Sequence, residues 1–233
     1  MKNACKVKLF VLGLLLFCSA TASHADDLEY RYEWGGMVGA ACYYGDANYN
    51  GFLQNVNLMG GIAGRYNINP RFAIKGNLAV AKISGNTADG DNRFPGGDVD
   101  FTRTVYDLGA QLECNFFAYG HGAKYKGTRR FTPYFFAGLG FTYAPEPLEN
   151  VFTLNIPLGA GVKYKVAPRW NVGCELSFRF TMSDNLDVTN GTAPILNDPY
   201  SIKSSGLKNK DSYSFLSFFV TYDISPKYRE CNN

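Results

Sequence analysis

Few residues in this chain are equipped for chemistry. Beyond the first 25 residues a single histidine remains, His121, and a histidine-dependent triad needs an imidazole beside both a nucleophile and a carboxylate. The strand order deduced below puts His121 on the side opposite the long loops, away from where barrel hydrolases and acyltransferases usually keep catalytic groups. The chain is therefore read as non-enzymatic. Gly138-Leu139-Gly140 and Gly159-Ala160-Gly161 lack a third glycine and a following helix, so they form no dinucleotide fingerprint and are read as interior packing or strand bending. Asp89, Asp91, Asn92, Asp98 and Asp100 gather in one loop, and Asp184, Asn185 and Asp187 in another. Oxygen ligands of that kind can hold calcium, but neither loop has EF-hand spacing, and turn formation accounts for them. Cys42, Cys114, Cys174 and Cys231 are widely separated, with no CxxC and no metal knuckle. Three of them fall on the apolar parity of expected strands, where a thiol is a small hydrophobe. Neither metal nor cofactor is expected.

The N-terminus reads as an export address. Lys2, Lys6 and Lys8 precede the apolar run Leu9 to Phe17, and Ser23-His24-Ala25 supplies the small residues of a cleavage site, with Ala20-Thr21-Ala22 as a competing one. The apolar run is roughly 10 residues, too short to cross ~30 Å of hydrocarbon as a helix. Residues 1–25 are thus expected to be a signal peptide, 26–225 a barrel and 226–233 a tail. Loss of three lysines and no acids leaves twenty basic and twenty acidic residues. A mature chain of zero net charge has no surplus to draw in a phosphate backbone, so nucleic acid is excluded as a partner.

Twenty-five glycines and 15% aromatic residues beside only 18% charged residues suit an all-β chain. Strand side chains alternate between faces, and of eight candidate strand segments six alternate in that way. The sixth places Phe152, Leu154, Ile156, Leu158, Ala160, Val162 and Tyr164 opposite Thr153, Asn155, Gly159, Gly161 and Lys163; the seventh places Trp170, Val172, Cys174, Leu176, Phe178 and Phe180 opposite Asn171, Glu175, Ser177 and Arg179. The fifth, Phe131 to Tyr143, and the eighth, Ser214 to Ile224, are apolar on both parities. Phe135, Ala137, Leu139 and Phe141, and Leu216, Phe218, Val220 and Tyr222, are assigned as their apolar faces. The fold expected is an all-β, eight-stranded, antiparallel, up-and-down transmembrane barrel, whose closure removes both sheet edges. Long loops are expected at Gly45–Leu53, Gly85–Phe101, Ala144–Val151 and Ser183–Ser212; the opposite end carries turns at Asn67–Pro70 and Lys165–Pro168 and the connection Phe117–Arg130.

Volume decides which face lies inside. An eight-stranded barrel is just wide enough to be filled by side chains, and the aromatic-rich parity is too bulky for that space. The other parity mixes small residues with charges of both signs: Glu33, Arg65, Arg71, Lys75, Arg103, Asp107, Glu113, Lys163, Glu175 and Arg179. These are assigned to the lumen, as a salt-bridged filling or, alternatively, the lining of a narrow pore. Tyr32, Trp34, Tyr66, Phe72, Phe116, Tyr164, Trp170 and Tyr222 would form an aromatic girdle against lipid headgroups, with a second ring near the long loops. An even strand number returns both termini to one side, the periplasm for a barrel exported to the bacterial outer membrane. There His121, Lys124, Lys126, Arg129 and Arg130 make a basic connection that could meet a periplasmic partner, although such a run is also an ordinary solvated loop.

Several stretches carry a resemblance: Tyr32-Glu33-Trp34-Gly35-Gly36 running to Tyr44-Gly45-Asp46, Leu112 to Phe117, Phe131-Thr132-Pro133-Tyr134-Phe135-Phe136-Ala137-Gly138, Ile156 to Val188, and Lys210-Asp211-Ser212-Tyr213-Ser214-Phe215. Together they resemble the PorG-like outer-membrane barrels of Bacteroidota over most of the mature chain. The resemblance implies a structural or assembly component of type IX secretion that ties periplasmic ring proteins of the PorK and PorN type to the membrane. The chain departs from that pattern at Thr181 to Val188, and its tail has only Cys231. A small porin or surface-binding barrel is the alternative.

Overall fold

The protein is described by a computed structural model over residues 30–44, 56–86, 100–121, 127–145, 150–182 and 211–224. Eight strands form in chain order: β1 (Tyr32–Tyr44), β2 (Asn57–Asn67), β3 (Phe72–Asn86), β4 (Asp100–Asn115), β5 (Phe131–Ala144), β6 (Val151–Ala167), β7 (Trp170–Thr181) and β8 (Ser212–Asp223). Each pairs antiparallel with its neighbour in sequence, and β1 with β8 closes the barrel. The seam register sets Trp34 against Tyr222 and Gly39 against Ser217. The short connections have local causes. Asn69 Oδ1 accepts the Arg71 and Phe72 amides at 2.8 and 2.7 Å, an Asx turn that reverses the chain between β2 and β3. Pro168-Arg169 joins β6 to β7, with Ala167 opposite Trp170.

Parity is obeyed, and it is inverted relative to a water-soluble barrel. Leu58, Phe152, Leu139 and Val38 point outward with 80, 69, 65 and 64% of their surface exposed, while Glu33, Asp107, Glu113 and Lys163 are buried inside. The outward faces assigned to the two ambiguous strands hold as well: Phe135, Leu139, Phe141, Phe218 and Val220 are exposed.

Several boundaries differ from the sequence expectation. Pairing continues beyond the expected loop starts, with Gly85 opposite Phe101 and Ala144 opposite Val151, because these ends still find ladder partners. Lys165, expected in a turn, belongs to β6, where a register shift between Lys165 and Ala167 lets the strand run on. The signal and tail segments, Lys124 and Lys126, and the acidic loop residues other than Asp100 lie outside the described residues.

Candidate functional site: a filled lumen and a basic rim

The interior is built from charges that reach across the barrel. Among the described residues, six cations (Arg65, Lys75, Arg103, Lys163, Lys165, Arg179) and six carboxylates (Glu33, Asp107, Glu113, Glu175, Asp211, Asp223) are buried, so their formal charge cancels. Arg65 is the hub near the turns. It forks onto Glu113 through Nε and Nη2 at 2.9 and 3.0 Å and reaches Glu33 through Nη1 at 2.6 Å. Lys163 adds a third donor to Glu113 at 3.0 Å, so strands β1, β2, β4 and β6 meet at one cluster. Midway along, Lys75 on β3 spans the lumen to Glu175 on β7 at 2.6 Å, and the Tyr134 hydroxyl donates to the same carboxylate at 2.8 Å. Nearer the loops Asp107 accepts from Asn77, Asn155, Arg179 and Tyr213 at 2.8–3.0 Å. Ionic groups this deeply buried are tolerated only when their hydrogen bonds are filled, and these carboxylates have several donors each.

Aromatic side chains complete the filling. Tyr134, Phe136, Tyr213, Phe215 and Phe219 point inward and are buried, which corrects the expectation of small and charged residues alone. Space for three of them comes from glycine on the adjoining strand: Tyr134 lies opposite Gly161, Phe136 opposite Gly159 and Phe219 opposite Gly173. A methyl on Gly173 would fall 2.3 Å from the Phe219 ring, and one on Gly159 2.5 Å from the Phe136 ring. Gly159, Gly161 and Gly173 are thus cut-outs for lumen side chains, whereas Gly138 stands against the β4 backbone.

Of the ten charges assigned to the lumen, Arg71 is not there: it is exposed in the β2–β3 turn. Its odd number fits the inward parity, but it precedes the first ladder residue and lies beyond the barrel end. The other nine are buried. Lys165 and Asp223 were missed, and they form an ion pair capped by Asn171. Both prolong the inward parity of their strands by one step, which was the available signal. Among the described residues no group of three or more His, Cys, Asp or Glu side chains could hold a metal ion.

At the end carrying the short turns the connection after β4 folds back onto the rim. The Tyr119 amide donates to the Pro70 carbonyl at 3.0 Å, and the buried Tyr119 hydroxyl donates to Asn171 at 2.8 Å. Burial, with Glu33 close by, raises the Tyr119 pKa far above that of an ordinary phenol, so it stays a neutral donor. The Arg129 amide returns to the Ala118 carbonyl at 2.7 Å, and Arg130 Nε donates to the His121 carbonyl at 3.0 Å. Beneath Tyr119 a cavity of about 40 Å³, lined by Glu33, Asn67, Asn115 and Asp223, has room for a few waters. The exposed residues of this end include Arg31, Arg71, Arg129, Arg130 and Arg169, a basic rim. His121, Arg129 and Arg130 thus share one segment of it.

Above the rim the outward parity carries the residues assigned to the girdle. Tyr32, Trp34, Tyr66, Phe116, Tyr164 and Trp170 are exposed, while Phe72 and Tyr222 are half-buried. They pair across strands, Tyr32 with Tyr66 at 5.2 Å between ring centroids and Trp170 with Tyr222 at 5.1 Å. Apolar wall outside, neutralised polar filling inside and closed strand edges define a transmembrane β-barrel. The chain belongs to the DUF6089 family, described as a domain of unknown function, which it matches over residues 7–233. No curated protein matches it in sequence. Among solved structures it is similar to Neisserial surface protein A, with 15% identity and a TM-score of 0.51 over 83% of this chain and 97% of that one. It is also similar to Ail, the attachment invasion locus protein of Yersinia pestis, with 10% identity and a TM-score of 0.46 over 84% of this chain and 99% of that one. At such identities the likeness concerns the fold.

Proposed function

We propose that the protein is an integral barrel of the bacterial outer membrane, with both termini in the periplasm, that anchors a periplasmic assembly and neither transports nor catalyses. The observation that carries this reading is the pairing of a packed, charge-neutral lumen with a basic segment pinned to the turn end. Ion pairs crossing from β3 to β7 and from β4 to β7 obstruct the bore, so planar-bilayer recordings should be silent. A steady conductance that Arg179→Ala abolishes would favour the porin reading instead.

The resemblance to PorG-like barrels supplies the finer version, in which the partners are ring proteins of the PorK and PorN type serving type IX secretion. Backbone hydrogen bonds from Tyr119, Gly120 and Arg129 fix the described ends of the connection before any partner arrives, so little ordering entropy of Arg129 opposes docking. The test is mild crosslinking and pull-down of the full chain from its native membrane. Recovery of a periplasmic protein is expected, reduced about tenfold by the double variant Arg129→Glu/Arg130→Glu, the equivalent of ~1.4 kcal/mol. Recovery of no periplasmic protein, with unchanged secretion in a deletion strain, defeats the proposal.

A further inference from the structure

One part of the outer wall combines a fixed cation with an apolar groove. Outward side chains on β7 step down from Trp170 to Val172 and Cys174, while their neighbours stay large. Tyr164 on β6 lies opposite Val172, Phe218 on β8 opposite Cys174, and Val220 opposite Val172. With Phe131 at one side, these residues bound a groove of about 370 Å³, within the ~300–1,000 Å³ of small-ligand sites. It is open along the wall, and Phe218, Val220 and Tyr164 remain 59, 48 and 44% exposed.

Arg169 lies outside the groove's lining, one residue before Trp170 and three before Val172 in the chain, on the turn side of it. Its Nη1 donates to the Tyr222 hydroxyl at 3.2 Å, and its guanidinium lies 5.7 Å from the Tyr30 ring and 6.0 Å from the Tyr222 ring. Those contacts hold the cation at the height of the girdle while leaving it exposed. Among the described residues, the carboxylates of this end, Glu33 and Asp223, are buried in ion pairs of the lumen and do not neutralise it.

We infer that this groove is a binding site for one anionic phospholipid of the adjoining leaflet, with its phosphate on Arg169 and an acyl chain along Val172 and Cys174. Charge complementarity selects this occupant, since an apolar chain fills the groove. Of the lipids whose phosphate reaches the guanidinium on its turn side, one of net negative charge gains most, because no headgroup ammonium offsets the pair. The inference rests on the wall lying in lipid, which the same experiment checks separately.

The test is fluorescence quenching by dibrominated lipids in vesicles, using the full chain with Trp34→Phe so that Trp170 alone reports. Dibromo-phosphatidylglycerol is expected to outcompete dibromo-phosphatidylcholine at Trp170 about fivefold, the scale set by one interfacial arginine. Arg169→Gln should bring the two lipids to parity, and Arg71→Gln should leave the preference intact. Parity in the parent chain overturns the inference, as does an equal loss in Arg71→Gln, which would mean a diffuse field of the whole rim. The companion chain with Trp170→Phe reports from Trp34, one strand beyond Tyr222. Quenching of Trp34 without quenching of Trp170 overturns the inference in favour of a second copy of the chain covering the groove. Absence of quenching at both tryptophans overturns the membrane reading itself.

Discussion

Glu113→Gln is expected to lower the unfolding free energy of the barrel by about 3–5 kcal/mol, the range for breaking a buried ion pair from one side. The carboxylate is fully enclosed and carries Arg65 through two hydrogen bonds and Lys163 through a third. Without its charge, Arg65 keeps Glu33, but Lys163 loses the carboxylate that forms its ion pair. The interior gains one uncompensated positive charge where water is scarce. Tyr119 and Tyr134 present rings 5.0 and 4.9 Å from Lys163 Nζ, and a ring quadrupole replaces only part of a carboxylate. Removing the stranded cation should therefore help, and the double variant Glu113→Gln/Lys163→Met is expected to recover more than half of the loss. Urea unfolding of the full chain in lipid vesicles, followed by tryptophan fluorescence, measures both. A loss below about 1 kcal/mol for Glu113→Gln would mean that water reaches the cluster and screens it.

The cluster also marks where sequence reasoning succeeds and where it stops. From Phe152 to Val166 in β6 and throughout β7 the large apolar side chains keep to one parity, so the inward placement of Lys163, Glu175 and Arg179 follows from periodicity and from the bulk of the opposite face. In β5 and β8 both parities are apolar, and periodicity cannot distinguish Phe135, which points outward, from Phe136, which points in. The distinction lies in cross-strand register. Phe136 faces inward because Gly159, far away in sequence, stands beside it with no side chain. Register is likewise what brings Lys75 to Glu175, a hundred positions apart in the chain. Strand ends are the other blind spot: Lys165 and Asp223 close the lumen at positions taken for a turn and a strand terminus, whereas Arg71 falls outside it. The basic connection was visible as composition, but its attachment through Tyr119 to Pro70 and Asn171 was not, because those partners sit on other turns and strands.

Register gives the second large effect, which separates two adjacent glycines of identical composition. Gly35→Ala is expected to destabilise the barrel by about 3 kcal/mol, the upper part of the overpacking range, while Gly36→Ala is neutral or stabilising by about 0.5 kcal/mol. Gly35 faces inward at the β1–β8 seam, opposite Thr221. A methyl there would lie 1.9 Å from the Val220 carbonyl oxygen and 2.6 Å from the Thr221 Cα. Those atoms are backbone, so relief requires moving a strand whose hydrogen bonds close the barrel. Gly36 faces outward, and its methyl would meet nothing nearer than the Gly61 carbonyl oxygen at 3.8 Å. Alanine there also restricts the unfolded chain more than glycine does, hence the small gain. Gly60 and Gly61 repeat the arrangement on β2, with nearest approaches of 3.9 and 2.3 Å, so Gly61→Ala should fall with Gly35→Ala and Gly60→Ala with Gly36→Ala. The four variants are compared by the fraction folding into vesicles, read as the heat-sensitive mobility shift in gel electrophoresis, and by their urea midpoints. Equal midpoints for Gly35→Ala and Gly36→Ala would refute the inward register of Gly35 and with it the side-chain assignment of β1 on which the Glu33–Arg65 pair depends.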